Sequence, residues 1–201
     1  MKINKLNRSF VYKGFKNVII DKFGDTRGAE IWSKSGEEYE RLLGTYPQIK
    51  GDSKMMVLPA AAIYTALKKY DESALEMLRA YGANTGKKIA RIMHVLTSIP
   101  GLSKLLWKNM PAIMRKTSSP EAGYTRRIVS ESDELVGVDI LTCPLHDAAV
   151  KIGMLEVATV VCAMDKEYMT GFKFIRYERT TSVADGGECC DYRLSFDKDK
   201  K

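Results

Sequence analysis

The chain lacks any apolar run long enough to cross a bilayer. Its longest, Met55–Tyr64, contains Pro59 and is about half of the roughly 20 residues that a spanning helix needs. The N-terminal MKINKLNRSF is polar, without the apolar core of a signal peptide behind its charges, so a cytoplasmic protein is expected. Metal-binding spacings are missing as well: there is no Cys-x-x-Cys and no His-Glu-x-x-His. Nor is there a Gly-x-Ser-x-Gly, a Walker-type phosphate loop, or a Gly-x-Gly-x-x-Gly that opens a helix after a strand. No internal repeat or low-complexity segment interrupts the chain.

What is present is an ordinary globular composition, 45% hydrophobic and 28% charged over 201 residues, which excludes disordered and fibrous architectures. The length suits one domain or a small pair. The net charge of +7 is unevenly distributed. Residues 77–120 carry Arg79, Lys87, Lys88, Arg91, Lys104, Lys108, Arg115 and Lys116 and no acidic residue, whereas residues 121–201 are net acidic. Three partners fit such a segment: nucleic acid, an anionic lipid surface, or another part of the protein or a second subunit. No recognised nucleic-acid module accompanies the charge, so nucleic acid is not expected as a partner. Because apolar residues interleave with the lysines, packing within the protein or against another subunit is expected.

Up to about residue 118 the periodicity is helical. Phe10, Val11, Phe15, Val18, Ile19 and Phe23 recur at mostly three- and four-residue steps before Gly24. Further helices are expected over about 26–43 and 57–70, the latter with Pro59 near its first turn. Ser73-Ala-Leu-Glu76 has the form of a capping box opening a helix with possible breaks at Gly82 and Gly86. After the Pro100-Gly101 turn comes LSKLLWKNMPAIMRK, a basic amphipathic segment.

At Thr117-Ser-Ser-Pro120 the period changes. Residues 124–131 and 135–142 read as strands; in the second, Val136, Val138 and Ile140 alternate with Gly137 and Asp139. Helical stretches follow over about 144–152 and 155–170. Strands over about 173–183 and 189–196, joined at Asp185-Gly186-Gly187 by a tight hairpin, close the chain. The expected architecture is α+β: a helical region over 1–118, then an α+β part over 119–201 with a four-stranded antiparallel sheet and two helices on one face, all in one compact unit.

All four cysteines, Cys143, Cys162, Cys189 and Cys190, fall in the last third. In a reducing compartment they are thiols rather than disulfides. Cys162 and Asp165 are three apart on a helix, hence on one face. Cys143 sits where a strand hands over to a helix. Strand parity sets Arg179 among apolar neighbours with Ile175, Tyr177 and Val183, while Arg176, Glu178, Thr180 and Ser182 face the other way. A guanidinium so placed needs a carboxylate, from the protein or from a ligand. Parity also turns Cys190 inward with Tyr192, Leu194 and Phe196, and Cys189 outward with Asp191 and Arg193. Plainer readings stand beside these: buried cysteines as inert core, and Asp165–Arg179 as a structural ion pair. Thiolate and imidazole would suit zinc, but the spacing of Cys143, His146, Cys162 and Cys190 does not support a site.

As a set these residues resemble a family. Cys143-Pro144 followed by Gly153, Cys162-Ala-Met-Asp165, Arg179-Thr180-Thr181-Ser182, and Gly186-Gly187-Glu188-Cys189-Cys190-Asp191-Tyr192-Arg193 look like the signature of the L-2-amino-thiazoline-4-carboxylic acid hydrolase family. The resemblance is specific over about 135–196 and loose over the N-terminal helices. Ser182 stands where the family pattern has a second Thr, Tyr192 replaces a Phe, and His146 is outside the pattern. The closing strand is also similar to 4-vinyl-reductase-type ligand-binding domains. The resemblance implies hydrolytic opening of a cyclic amidine to an N-carbamoyl amino acid, without a cofactor and with no metal ligand set. It implies catalytic roles for Cys143, Cys162 and Asp165, either cysteine serving as a nucleophile activated by nearby positive charge, and substrate binding by Arg179 and Cys190. Cys189 should be dispensable. The implied partner is a small-molecule carboxylate, with self-association into a homo-oligomer left open. The competing reading is a non-catalytic module that binds a small molecule or metal.

Overall fold

The computed structural model describes residues 4–197. Seven α-helices precede or interleave with four strands: α1 (Phe15–Phe23), α2 (Asp25–Thr45), α3 (Gly51–Leu67), α4 (Ala74–Thr97), α5 (Leu102–Thr117), β1 (Thr125–Glu131), β2 (Leu135–Thr142), α6 (Pro144–Lys151), α7 (Ala158–Met169), β3 (Ile175–Glu178) and β4 (Cys190–Phe196). The protein is therefore α+β, with a helical N-terminal region and an antiparallel sheet. No described helix is long and apolar enough to cross a membrane. The chain divides into two compact units, one of residues up to 82 with 148–161, the other of residues 83–147 with 162 onward.

In the first unit, α1 begins only at Phe15, later than its periodicity suggests, because residues 5–8 form a 3-10 turn whose N-cap, Asn4, accepts from the Leu6 N–H. The buried side chains of Leu6, Phe15, Ile19, Ile31, Leu42, Leu58, Ile63, Leu67 and Leu78 fill its core. Pro59 lies in the interior of α3 rather than its first turn. The carbonyl it leaves without a donor is that of Met55, at an exposed position where water can substitute. The capping box at Ser73 does not form. The Ser73 hydroxyl turns to Asp71 instead, donating to Oδ1 at 2.6 Å, and Lys22 pairs with the same carboxylate at 2.5 Å.

In the second unit the sheet has the order β1-β2-β4-β3, every neighbouring pair antiparallel. Its apolar face, formed by Val136, Val138, Ile140, Ile175, Cys190 and Leu194, packs on Met169 of α7 and on Met110 and Met114 of α5. Strand β3 ends at Glu178, and the turn to β4 is longer than a tight hairpin. The reason is Asp191, whose carboxylate takes the backbone N–H of Thr180 (2.9 Å) and of Thr181 (2.7 Å) and so withdraws them from the ladder. Ser182, expected on the solvent side, is buried; it caps the 3-10 turn Val183–Asp185 and donates to Asp185 Oδ2.

The opposite face of the sheet is not simply solvated. Asp139, buried in β2, takes Arg127 on Oδ2 and Arg193 on Oδ1, each at 2.7 Å. Burial pushes its carboxyl up, but the two guanidiniums outweigh that and hold it below the usual carboxylate range. A carboxyl depressed in the folded state contributes stability that is present above its unfolded pKa and lost as pH falls through and below about 4. Asp139→Asn is therefore expected to cost about 1–2 kcal/mol near neutrality and to flatten the acid limb of stability against pH. Denaturant melts across that range measure both effects; an unchanged acid limb would remove Asp139 as its source.

Candidate active site

Cys143, Cys162, Asp165, Arg179 and Cys190 all belong to the second unit. Cys143 follows β2 and precedes Pro144, the first residue of α6, where proline's fixed φ suits a helix start. Its carbonyl accepts the Asp147 N–H at 2.9 Å, and its sulfur takes the N–H groups of Leu145 and His146, so the thiol stands in for a cap side chain. Cys162 and Asp165 lie on α7. Arg179 follows the last residue of β3, and Cys190 opens β4 opposite Ile140 of β2.

The centre is an ion pair with an aromatic partner. Arg179 Nη1 donates to Asp165 Oδ2 at 3.1 Å and to the Tyr192 hydroxyl at 3.3 Å, while Nη2 donates to the Cys162 carbonyl at 3.4 Å. Tyr192 in turn donates its hydroxyl proton to Asp165 Oδ2 at 2.6 Å, and the guanidinium sits 5.6 Å from the centre of the Tyr192 ring. Arg179's side chain is 7% exposed, Asp165's 25%. Both bonds to Asp165 end on Oδ2; among the described residues Oδ1 has no hydrogen-bond partner. Tyr177 packs against Tyr192 with ring centres 5.8 Å apart, and its buried hydroxyl has no partner among the described residues.

Electrostatics follow from burial. The Asp165 carboxyl is pushed above the usual range by desolvation, with the Tyr192 hydroxyl and then Arg179 pulling the other way. Burial raises the Cys162 thiol to about 12, against a smaller downward pull from Arg179. Cys143 and Cys190 are raised for the same reason, in spite of the N–H groups that point at their sulfurs. The positive charge expected to activate a cysteine is thus present but loses to desolvation, and all three thiols stay protonated near neutrality. Each of the three thiols lies within electrostatic reach of Asp165, and Cys162 and Cys190 within that of Arg179 as well.

Cys189 is apart from this group. Its charged neighbours are Asp139, Asp191, Arg127 and Arg193, on the other face of the sheet. Alkylation by iodoacetamide at neutral pH should accordingly modify Cys189 ahead of Cys143, Cys162 and the buried Cys190, as fragment-ion mass spectra after timed quenching would show. Equal rates for Cys189 and Cys190 would contradict the burial of Cys190. The His146 ring places Nδ1 3.3 Å from Oδ1 of its neighbour Asp147. Among the described residues no three His, Cys, Asp or Glu side chains gather as a metal site would require.

Two hydroxyls of the site carry no signal in the strand alternation. Tyr192 and Tyr177 are apolar by strand parity, yet their hydroxyls reach the ion pair or stop beside it. The available signal was Tyr192 itself, standing where the family pattern has Phe: an added hydroxyl on a buried face needs an acceptor, and Asp165 is it.

Residues 52–194 match the family described as L-2-amino-thiazoline-4-carboxylic acid hydrolase. The match reaches upstream into α3, well beyond the segment that carries the motif residues. No curated protein matches the chain. Among solved structures it is similar to a trafficking protein particle complex subunit 3 from Naegleria fowleri, covalently bound to palmitic acid, at 13% identity over 72% of this chain and 95% of that one, with a TM-score of 0.39. It is also similar to an Fe(II) unliganded H-NOX protein from K. algicida, at 12% identity over 96% and 98%, with a TM-score of 0.36. Neither likeness bears on the chemistry.

Proposed function

We propose that this chain, which belongs to the L-2-amino-thiazoline-4-carboxylic acid hydrolase family, opens a small cyclic amidine carboxylate by water attack, with Asp165 as the base. The observation that carries this reading is the asymmetry of the Asp165 carboxylate: Oδ2 is held by Arg179 and Tyr192, whereas Oδ1 is unclaimed and the side chain is a quarter exposed. A carboxylate held by one oxygen and open at the other is oriented for proton transfer. Its upward-shifted pKa brings it nearer the operating range of a general base.

In a 2-amino-thiazoline the carbon between two nitrogens and sulfur is the electrophile. Asp165 Oδ1 takes a proton from water as the oxygen bonds to that carbon. The carbon–sulfur bond then breaks, Asp165 returns the proton to the departing sulfur, and the second water proton passes to the ring nitrogen, which took the C=N electron pair in the attack, as the carbonyl forms. One water is consumed, and an N-carbamoyl amino acid bearing a thiol is released. The buried thiols of Cys143 and Cys162 suit this route as protonated lining; a thiolate attack would first have to overcome their raised pKa values. The substrate carboxylate would take the guanidinium edge of Arg179 that the protein leaves unused, beside Cys190. The orphan Tyr177 hydroxyl, costly to leave unpaired, would find its partner on the ligand.

The test is an assay of ring opening with L-2-amino-thiazoline-4-carboxylate and close analogues, following release of a free thiol. Turnover that rises with pH through a raised carboxyl pKa is expected. Saturable binding without any thiol release would instead favour the ligand-binding module.

A further inference from the structure

The corner between α4 and α5 carries apolar side chains on the wrong side of the helix for the core. The inner face of α4 is defined by close approaches. A Cβ on Gly86 would lie 2.3 Å from the Met164 carbonyl oxygen, Ala90 abuts Gly171, and the Thr97 hydroxyl takes the Lys173 N–H at 2.9 Å. Ile92, Val95 and Leu96, spaced i, i+3 and i+4 on α4, form a separate stripe that faces away from those contacts, and Ile99 follows in the turn after the helix. Their exposures are 60%, 68%, 45% and 54%. Across the turn at Pro100-Gly101, Leu105 of α5 is exposed too. Of the apolar residues of this basic segment, expected to pack within the protein or against another subunit, Met110 and Met114 are buried within the chain, whereas the corner residues are not covered by it.

The charges that α4 and α5 themselves place around the stripe have one sign; Asp133, from the β1–β2 turn, shares a cleft with Lys104 and Lys108. Lys88 lies one turn before Ile92 on the same face, Arg91 flanks it, and Lys104 and Lys108 flank Leu105. All four are exposed, and among the described residues none forms an ion pair, whereas Arg115, farther along α5, is paired with Glu131. No acidic residue occurs anywhere from 77 to 120 to offset them.

We propose that this corner is a docking surface for anionic lipid bilayers, the apolar stripe entering the headgroup–acyl boundary and the four cations meeting lipid phosphates. Stripe and cations have the arrangement of an interfacial helix, apolar on one arc and basic at its margins. A second copy of the same surface is a poor occupant, since a two-fold contact would bring unpaired cations together. Nucleic acid would use the charge but gain nothing from four aliphatic side chains, and no aromatic ring in the stripe offers a base to stack on. This inference does not depend on the proposed hydrolysis.

Co-sedimentation of the full chain with vesicles decides it. Strong pelleting with phosphatidylglycerol–phosphatidylcholine vesicles, little with phosphatidylcholine alone, and weakening as salt rises are expected. Val95→Asp with Ile99→Asp should abolish binding, and Lys88→Glu with Lys104→Glu should weaken it by at least about tenfold. Val150→Asp, at another exposed apolar position, should leave it intact. The lysine variants keep the test valid if the aspartate pair fails to fold. The proposal is overturned by absent vesicle binding, by binding indifferent to both double variants, by a dimer in solution that V95D/I99D dissociates and that ignores vesicles, or by duplex DNA that binds the same surface more tightly than vesicles do.

Discussion

Asp165→Asn is expected to remove ring-opening activity by about 10²–10⁴-fold in kcat and also to lower stability, because it leaves the buried Arg179 guanidinium without its counter-charge. Asparagine keeps the shape and can still accept from Arg179 and Tyr192 on one oxygen, but it cannot take a proton from water. Arg179→Ala should be as damaging to kcat/KM and should also destabilise, because a buried guanidinium leaves behind a carboxylate with one fewer partner; one-sided loss of a buried pair commonly costs about 3–5 kcal/mol. Tyr192→Phe supplies the sign test. Its hydroxyl lowers the Asp165 pKa, so its removal should move the rising limb of activity against pH upward. Cys189→Ala, on the far face of the sheet with Arg127 and Asp139, should leave kcat and KM near wild type. Steady-state kinetics over a pH series, with thermal melts of each variant, check all four. Full activity in Asp165→Asn would end the assignment of the base.

Gly171→Ala is expected to be the most destabilising single methyl in the second unit. A Cβ there would lie 2.4 Å from both the Cα and the carbonyl oxygen of Ala90, backbone atoms of α4 that cannot rotate aside. Overpacking of that kind costs about 3 kcal/mol, or a fall in Tm of roughly 10 °C for a chain of this size. Gly86→Ala meets the Met164 carbonyl oxygen at 2.3 Å and should behave alike. Gly44→Ala is the contrast. It lies inside α2 with nothing within 4 Å of its Cβ, so alanine should be neutral or stabilising by about 0.5–1 kcal/mol. Equal melting temperatures for the Gly171 and Gly44 variants would refute the close crossing of α4 with the segment after α7.

The glycines of α4 show what local sequence can and cannot say. As helix-weakening residues, Gly82 and Gly86 suggest breaks, yet α4 runs through both to Thr97. Their role is set by what approaches them, the carbonyls of Val160 and Met164, and nothing in the neighbouring residues announces those partners. The same limit explains β3. Its alternation continues past Glu178, but the ladder stops because Asp191, distant in sequence, captures the N–H groups of Thr180 and Thr181.

The sequence by itself determined the class of fold, the helical front, the change of period near Pro120, the positions of β1, β2 and β4, and which side of β4 each cysteine faces. These follow from apolar periodicity, which is a property of consecutive residues. It also carried the family motif, because Cys143, Cys162, Asp165, Arg179 and Cys190 occur in a recognisable order. Tertiary structure alone decided how those residues stand to one another: that Arg179 pairs with Asp165, that Tyr192 completes the pair, and that burial keeps the thiols protonated. It alone decided, too, that the apolar stripe at Ile92–Ile99 faces outward. A periodic pattern states which residues share a face, but desolvation, pKa and exposure depend on what covers that face, and the covering atoms come from remote parts of the chain.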